Sequence, residues 1–154
     1  MTETVRIAEE LVRSVDGPAW HGESLMEMLE GVPAEVANAK PVADGHSAHE
    51  LVLHITTWIR LASAGLRGRA LPSGPFPENW LAAVQDEDGW QLAIARLQES
   101  CSELADLVRR LDPKHLDNTV PGRDYDMAFL LNGVIQHAAY HGGQIAITLK
   151  LARV

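Results

Sequence analysis

Helical periodicity in four long stretches is the feature that most limits what this chain can fold into. Apolar residues recur at intervals of three and four over residues 2–15, 47–64, 86–111 and 126–151, the spacing that places them on one face of an α-helix. No stretch shows the apolar–polar alternation typical of a strand. Because each apolar stripe must pack against another, we predict an all-α fold, a four-helix bundle.

The first of these helices is predicted to break and restart. Residues 16–18 (Asp-Gly-Pro) end it, and proline is favoured in the first turn of a new helix. We therefore expect a second helical segment over residues 18–30, in which His21, Leu25 and Met28 share a face. This segment ends at Gly-Val-Pro, where the chain again turns.

The connections on either side of the second helix differ in kind. Residues 33–46 are expected to contain one short helical turn, and Ser47 and Glu50 then form a capping box that starts the second helix. Residues 65–80 hold three prolines and three glycines, so this segment is too long and too irregular for a tight hairpin. It is predicted to cross the end of the bundle, which lets the third helix run parallel to the second.

Composition limits the class of protein. A length of 154 residues suggests a single domain, residues 1–154, whose hydrophobic core is large enough to be stable without disulfide or metal cross-links. The formal charge of −8 and the lack of a long basic cluster argue against nucleic acid and anionic membranes as partners. A lone cysteine, an N-terminus unlike a signal peptide and no membrane-length apolar run predict a cytoplasmic protein. Cys101 is interpreted as a core or surface residue, since nothing places a base beside it.

His137 and His141 are the first candidate functional residues. Four residues apart on a helix, they lie one turn above each other and can reach one metal ion. On a helical wheel centred on Val134, His141 falls within the apolar stripe and His137 about 60° from its centre. Both imidazoles are therefore expected to face the core, either as hydrogen-bonded core histidines or as metal ligands. Gln144 is a candidate partner of His141 or a solvent-facing amide.

The second helix supplies a third histidine. His54 lies about 60° from Leu51, at the edge of the apolar stripe, whereas His49 is predicted to point to solvent and His46 to be exposed. Three imidazoles that leave one position open are typical of a reactive metal site. His21 is a possible fourth ligand or general base. Counted along the helix axes from the connection between the two helices, its position differs from that of His54 by only about 5 Å.

With these motifs in place, the chain resembles the DinB-like superfamily of small helical bundles. The resemblance rests on Ser-Ala-His-Glu-Leu-Val-Leu-His-Ile-Thr-Thr-Trp at residues 47–58, on the His-x-x-x-His-x-Gly-Gln-like ending at residues 137–145 and on Ala-Trp-His-Gly-Glu-Ser-Leu at residues 19–25. That superfamily includes bacterial thiol-dependent transferases and mycothiol-dependent maleylpyruvate isomerases. Gly142 is a departure, because the family frequently has arginine after the second histidine, so the charge of the substrate does not follow from the resemblance.

The resemblance implies a divalent metal, most often zinc or nickel, held by His54, His137 and His141, and it implies a homodimer. The function expected on this basis is that of a metal-dependent enzyme that activates a low-molecular-weight thiol or water toward a small electrophile, a transferase or hydrolase with a small-molecule substrate. The alternative is a non-catalytic, stress-related metal- or ligand-binding protein, in which a fourth protein ligand closes the site.

Overall fold

The protein is all-helical in a computed structural model that describes residues 1–153. Within that range there is no strand, and six α-helices follow one another: α1 (Glu3–Asp16), α2 (Leu25–Leu29), α3 (Ala34–Asn38), α4 (Ala48–Leu66), α5 (Glu87–Arg110) and α6 (Met127–Ala152). Two short 3₁₀ helices, Pro77–Asn79 and Pro113–Asp117, lie in the connections. The predicted all-α bundle of four long helices is confirmed, and α3 is the short turn expected in the connection before α4.

Local capping explains where the two helices that carry the histidines begin. The Ser47 hydroxyl accepts a hydrogen bond from the Glu50 backbone N–H at 3.1 Å, and the Glu50 carboxylate accepts one from the Ser47 N–H at 2.9 Å. This is the predicted capping box, and it starts α4. At the start of α6, the Asp126 carboxylate accepts a hydrogen bond from the Phe129 N–H at 2.8 Å.

Contacts between the long helices fix their directions. His49 and Trp90, both near the N-terminal ends of α4 and α5, meet edge to face, and Arg67 and Glu103, near the C-terminal ends, form an ion pair at 2.5 Å. The two helices are therefore parallel, as the length of residues 67–86 between them allows. In contrast, α6 is antiparallel to α4, because its early residue Leu130 lies beside Gly65 and its later histidines lie beside His54.

The predicted helix over residues 18–30 is wrong. Only α2 is helical there, because its capping box is formed by Ser24 and Glu27, well after the break at Gly17. Residues 17–24 form a turn in which Gly22 has a φ of +131°, a conformation that favours glycine. His21 lies in this turn and is exposed, so it does not share a helix face with Leu25.

The prediction that His49 faces solvent is also wrong. Its side chain is 1% exposed, and its Nδ1 lies 2.9 Å from Asn38 Oδ1. The helical wheel failed here because α4 is packed by α3, α5 and α6 and has no fully solvated side near its start. Trp90 is buried in this part of the core and donates its indole N–H to the Val32 carbonyl at 2.7 Å.

Cys101 is buried in the core between α5 and α1. Burial raises the pKa of its thiol to about 12, which disfavours the thiolate and agrees with a packing role.

None of the helices described has the length and apolar character needed to cross a membrane.

Candidate metal centre

Three of the predicted site residues converge between α4 and α6. One nitrogen each of His54, His137 and His141 lies within 4.8 Å of the other two. His54 and His141 are buried, with 5% and 7% of their surface exposed, and His137 is partly buried. Because α4 and α6 are antiparallel neighbours, one histidine of the first meets two successive turns of the second. The structure thus brings together a histidine triad that could hold a metal ion.

Two of the three imidazoles are oriented by acceptors on their outer nitrogens. His54 Nδ1 lies 2.6 Å from the Asn79 carbonyl oxygen, and His141 Nδ1 lies 2.6 Å from Gln144 Oε1. Since both oxygens can only accept, each Nδ1 carries the proton and each Nε2 keeps its lone pair for a ligand. This is the arrangement that metal-binding histidines generally show. Gln144 is therefore the partner of His141, one of its two predicted roles.

His137 completes the triad differently. Its Nε2 lies 3.0 Å from Nε2 of His54, while its Nδ1 is buried without a hydrogen-bond partner within residues 1–153. Two imidazole nitrogens bound tetrahedrally to one zinc ion are about 3.3 Å apart, given zinc–nitrogen distances of about 2.0–2.1 Å. The spacing of these two atoms is close to that value, so the residues present fit a shared divalent ion.

Electrostatics keeps the three rings in the form that binds metals. Burial, with smaller contributions from His141 and His54, lowers the pKa of His137 to about 3. The pKa values of His54 and His141 are also lowered, chiefly because burial disfavours the charged ring. At neutral pH all three imidazoles are therefore uncharged, as coordination requires.

The crossover between α4 and α5 covers one side of the triad. Trp80 stacks on His54 with ring centroids 3.9 Å apart, and its other face stacks on His46 at 3.5 Å. The preceding residue, Asn79, supplies the carbonyl that orients His54, and its side-chain oxygen accepts a hydrogen bond from Trp58 Nε1 at 3.0 Å. Two adjacent residues of this crossover thus fix the position of His54.

A cavity of about 350 Å³ opens beside two of the imidazoles. Its polar lining consists of His54, His137 and Asn79, and its remaining lining is apolar or aromatic: Trp58, Tyr125, Phe129, Leu130, Gly133 and Val134. The triad therefore borders a space large enough for a small molecule.

Close packing holds α6 in place near His141. A Cβ atom added at Gly142 would lie 3.3 Å from a Leu25 side-chain carbon and 3.4 Å from the Met28 methyl carbon. Gly142 therefore permits the close approach of α2 and α6. Gly143 makes no such contact, and the same explanation does not apply to it.

The structure does not bring His21 into the site. It lies in the exposed turn before α2, outside the group formed by the three other histidines, because the chain does not continue as a helix from Pro18 to Leu25. The prediction that His21 lies near His54 compared their positions along the helix axes, and it assumed a continuous helix over residues 18–30.

Two residues that orient the site were missed from the sequence, Asn79 and Trp80. Both lie in the irregular crossover, where no periodicity indicates which backbone atom will meet which helix. Their position depends on the parallel course of α5, which only the assembled fold defines. A tryptophan in a proline-rich connection is a weak signal that could have directed attention to this segment.

Comparison with known proteins agrees with the helical-bundle fold. No match was found among curated proteins or among solved structures. A family model described as the DinB superfamily matches residues 19–145, which include all of α2 to α5, the three clustered histidines and most of α6. Since this match covers most of the chain, the protein belongs to the DinB superfamily.

Proposed function

We propose that this protein is a metal-dependent enzyme in which His54, His137 and His141 bind one divalent ion. The observation that carries the proposal is the pair of hydrogen bonds from His54 Nδ1 to Asn79 and from His141 Nδ1 to Gln144. These bonds select the tautomer in which Nε2 is free, and they turn both rings toward the same point. Histidines that serve only as core residues need no such agreement between two rings on different helices.

Zinc or nickel is the expected ion. Imidazole nitrogen is a ligand of intermediate softness that suits both, and the triad contains no thiolate or carboxylate within the described group. When bound, such an ion supplies Lewis acidity and lowers the pKa of a coordinated water or thiol.

The chain's own residues would hold the reactants. Trp80 and Asn79 keep the His54 ring fixed, and the cavity beside His54 and His137 offers room for a small electrophile. Transfer would form a bond from the sulfur of a low-molecular-weight thiol to the electrophilic carbon. The leaving group would depart with its electron pair and take up the proton lost by the thiol. Hydrolysis would follow the same course, with water in place of the thiol.

A homodimer is part of this proposal, and the outer face of α6 supports it. From Met127 to Leu149 the helix carries no aspartate, glutamate, lysine or arginine, although the whole chain has a net charge of −8. Its exposed residues include Tyr140 and Ile147, which are 66% and 56% exposed. Two acidic copies repel each other least through an uncharged face, and exposed apolar residues there favour association.

The proposal is tested first by elemental analysis of untagged protein purified without chelator. About one divalent ion per chain is expected, and it should be lost in the His54/His137/His141 triple alanine variant. His21→Ala and His115→Ala are matched controls that remove exposed histidines and should keep the metal. Absence of metal from the parent, even after incubation with zinc or nickel, would contradict the proposal.

Activity is tested separately with the metal-loaded protein. Thiol transfer to small electrophiles and hydrolysis of small esters should each be measured for the parent and for the triple variant. Metal-dependent turnover that the triple variant lacks is the expected outcome. Stoichiometric metal without turnover in either assay would favour the non-catalytic, metal-binding alternative.

A further inference from the structure

The lining of the cavity beside the triad has a distinct chemistry. None of its nine residues has a carboxylate, ammonium or guanidinium group, and besides the two imidazoles it has three aromatic side chains: Trp58, Tyr125 and Phe129. Trp58 lies edge to face with His137 at 5.9 Å, and Tyr125 lies at a tilt to Phe129 at 5.1 Å. Rings in these positions offer both faces and edges to a flat ligand.

Arg123 is the cation close in sequence to this lining, and each of its three guanidinium nitrogens already donates a hydrogen bond. Its Nε donates to the Tyr125 hydroxyl at 3.2 Å, and its Nη1 donates to the Gly122 carbonyl at 3.1 Å. Its Nη2 donates to the Pro72 carbonyl. These bonds hold the guanidinium against its own loop and against Pro72, and Arg123 is not among the residues that line the cavity. In the metal-free protein, an anionic ligand would therefore lose its hydration without gaining a counter-charge from the lining.

Gly133 sets the width of the cavity. It precedes His137 by four residues on α6, so a side chain there would project from the same face as the imidazole. A Cβ atom added at Gly133 meets no atom within 4 Å, which shows that the space in front of it is open. A longer side chain would enter this space without disturbing the core.

From these observations we propose that the cavity binds an uncharged, flat, apolar small molecule and that Gly133 is the residue that determines its size. The proposal rests on the proposed function only in taking this ligand to be the electrophile acted on at the triad. It deepens that function by naming a substrate class, neutral aromatic or similarly planar compounds, in place of the charged ones that an arginine in the site would select.

A matched pair of fluorescent probes tests the proposal. N-phenyl-1-naphthylamine is neutral, and 8-anilinonaphthalene-1-sulfonate has the same ring skeleton with one sulfonate added. Binding of each to the metal-free and zinc-incubated protein is measured in about 0.5 M salt, which shortens the Debye length to roughly 4 Å and screens the net charge of the chain. We expect the neutral probe to bind the metal-free protein at least tenfold more tightly than the sulfonate does.

Two glycines of α6 provide the variant and its control. Gly133→Leu should weaken binding of the neutral probe at least tenfold, and Gly133→Ala should weaken it less. Gly143→Leu should leave it unchanged, because a Cβ atom at Gly143 also meets open space but does not line the cavity. Circular dichroism confirms that each variant is folded.

Equal affinity of the metal-free protein for the two probes, or an equal response to leucine at both glycines, would overturn the proposal. Metal content is measured on the same samples, so the two proposals can fail independently. One ion per chain with no effect of Gly133→Leu contradicts the substrate class alone. The expected probe results without any bound metal contradict the proposed function and leave the cavity assignment intact.

Discussion

Trp80 lies flat against His54, with ring centroids 3.9 Å apart and ring planes within 3° of parallel. The indole belongs to the irregular crossover before α5, and the imidazole belongs to α4, so the stack fixes an irregular segment to a buried helix. The second face of the Trp80 indole is covered by His46, which precedes α4. Rotation of the His54 ring out of its present plane would therefore have to displace Trp80.

Removal of this stack should weaken metal binding without unfolding the bundle. Aromatic pairs contribute about 0.5–1.5 kcal/mol beyond burial, so Trp80→Ala should lower zinc affinity by roughly twofold to tenfold and Trp80→Phe by less. Affinity is measured by competition with a chromophoric chelator. The control is Trp20→Ala, which removes a fully exposed tryptophan far from the triad in sequence. Equal affinities for Trp80→Ala and Trp20→Ala would show that the stack does not support the site.

Gln144 should matter to the metal through His141 alone. Its Oε1 accepts the Nδ1 hydrogen at 2.6 Å, and loss of such a partner typically lowers metal affinity about 10-fold to 100-fold. Gln144→Ala should show this loss, whereas Gln144→Glu keeps an acceptor and should retain most of the affinity. Gln136→Ala, an exposed glutamine on the same helix, serves as the control. The same competition assay applies, and an unchanged affinity in Gln144→Ala would show that another group orients His141.

The fold was predictable from the sequence because its signals are local and repeated. The capping box at Ser47 and Glu50 and the aspartate at the start of α6 each define a helix end through their own side chains. Apolar spacing then placed His54 and His141 on inward faces, and both are buried. Those features depend on residues a few positions apart, and periodicity reports them directly.

What the sequence did not contain was the environment made by distant segments. The helical-wheel prediction that His49 faces solvent assumed that a helix has one buried face. In the structure, α3 and α5 cover the other side of α4 as well. The helix expected around His21 failed because a second capping signal at Ser24 outweighs proline at position 18. The roles of Asn79 and Trp80 follow from how a long crossover folds back on α4, and no short-range pattern encodes that path.

The two adjacent glycines of α6 should respond oppositely to larger side chains. A Cβ atom at Gly143 meets open space, so Gly143→Ala should raise the free energy of unfolding by about 0.5–1 kcal/mol through helix propensity. Gly142→Leu should lower it by about 1–3 kcal/mol, because its side chain would collide with Leu25 and Met28. Urea denaturation of the metal-free protein gives both values. Destabilisation by both substitutions would mean that the face at Gly143 is covered, for example by a second copy.

The metal-free protein should lose stability as the pH falls from about 6.5 toward 5. Burial lowers the pKa of His49, His54, His137 and His141 in the folded state below the ordinary value of 6.5. The unfolded chain therefore binds more protons in this range, and the free energy of unfolding falls with decreasing pH. His137→Leu removes the ring whose pKa is about 3 and should reduce the dependence of the free energy of unfolding on pH. The exposed control, His115→Ala, should leave this dependence unchanged. Both are measured by urea denaturation at pH 7.5, 6.5, 5.5 and 5. Identical profiles for the parent and His137→Leu would show that His137 is not buried in the neutral form.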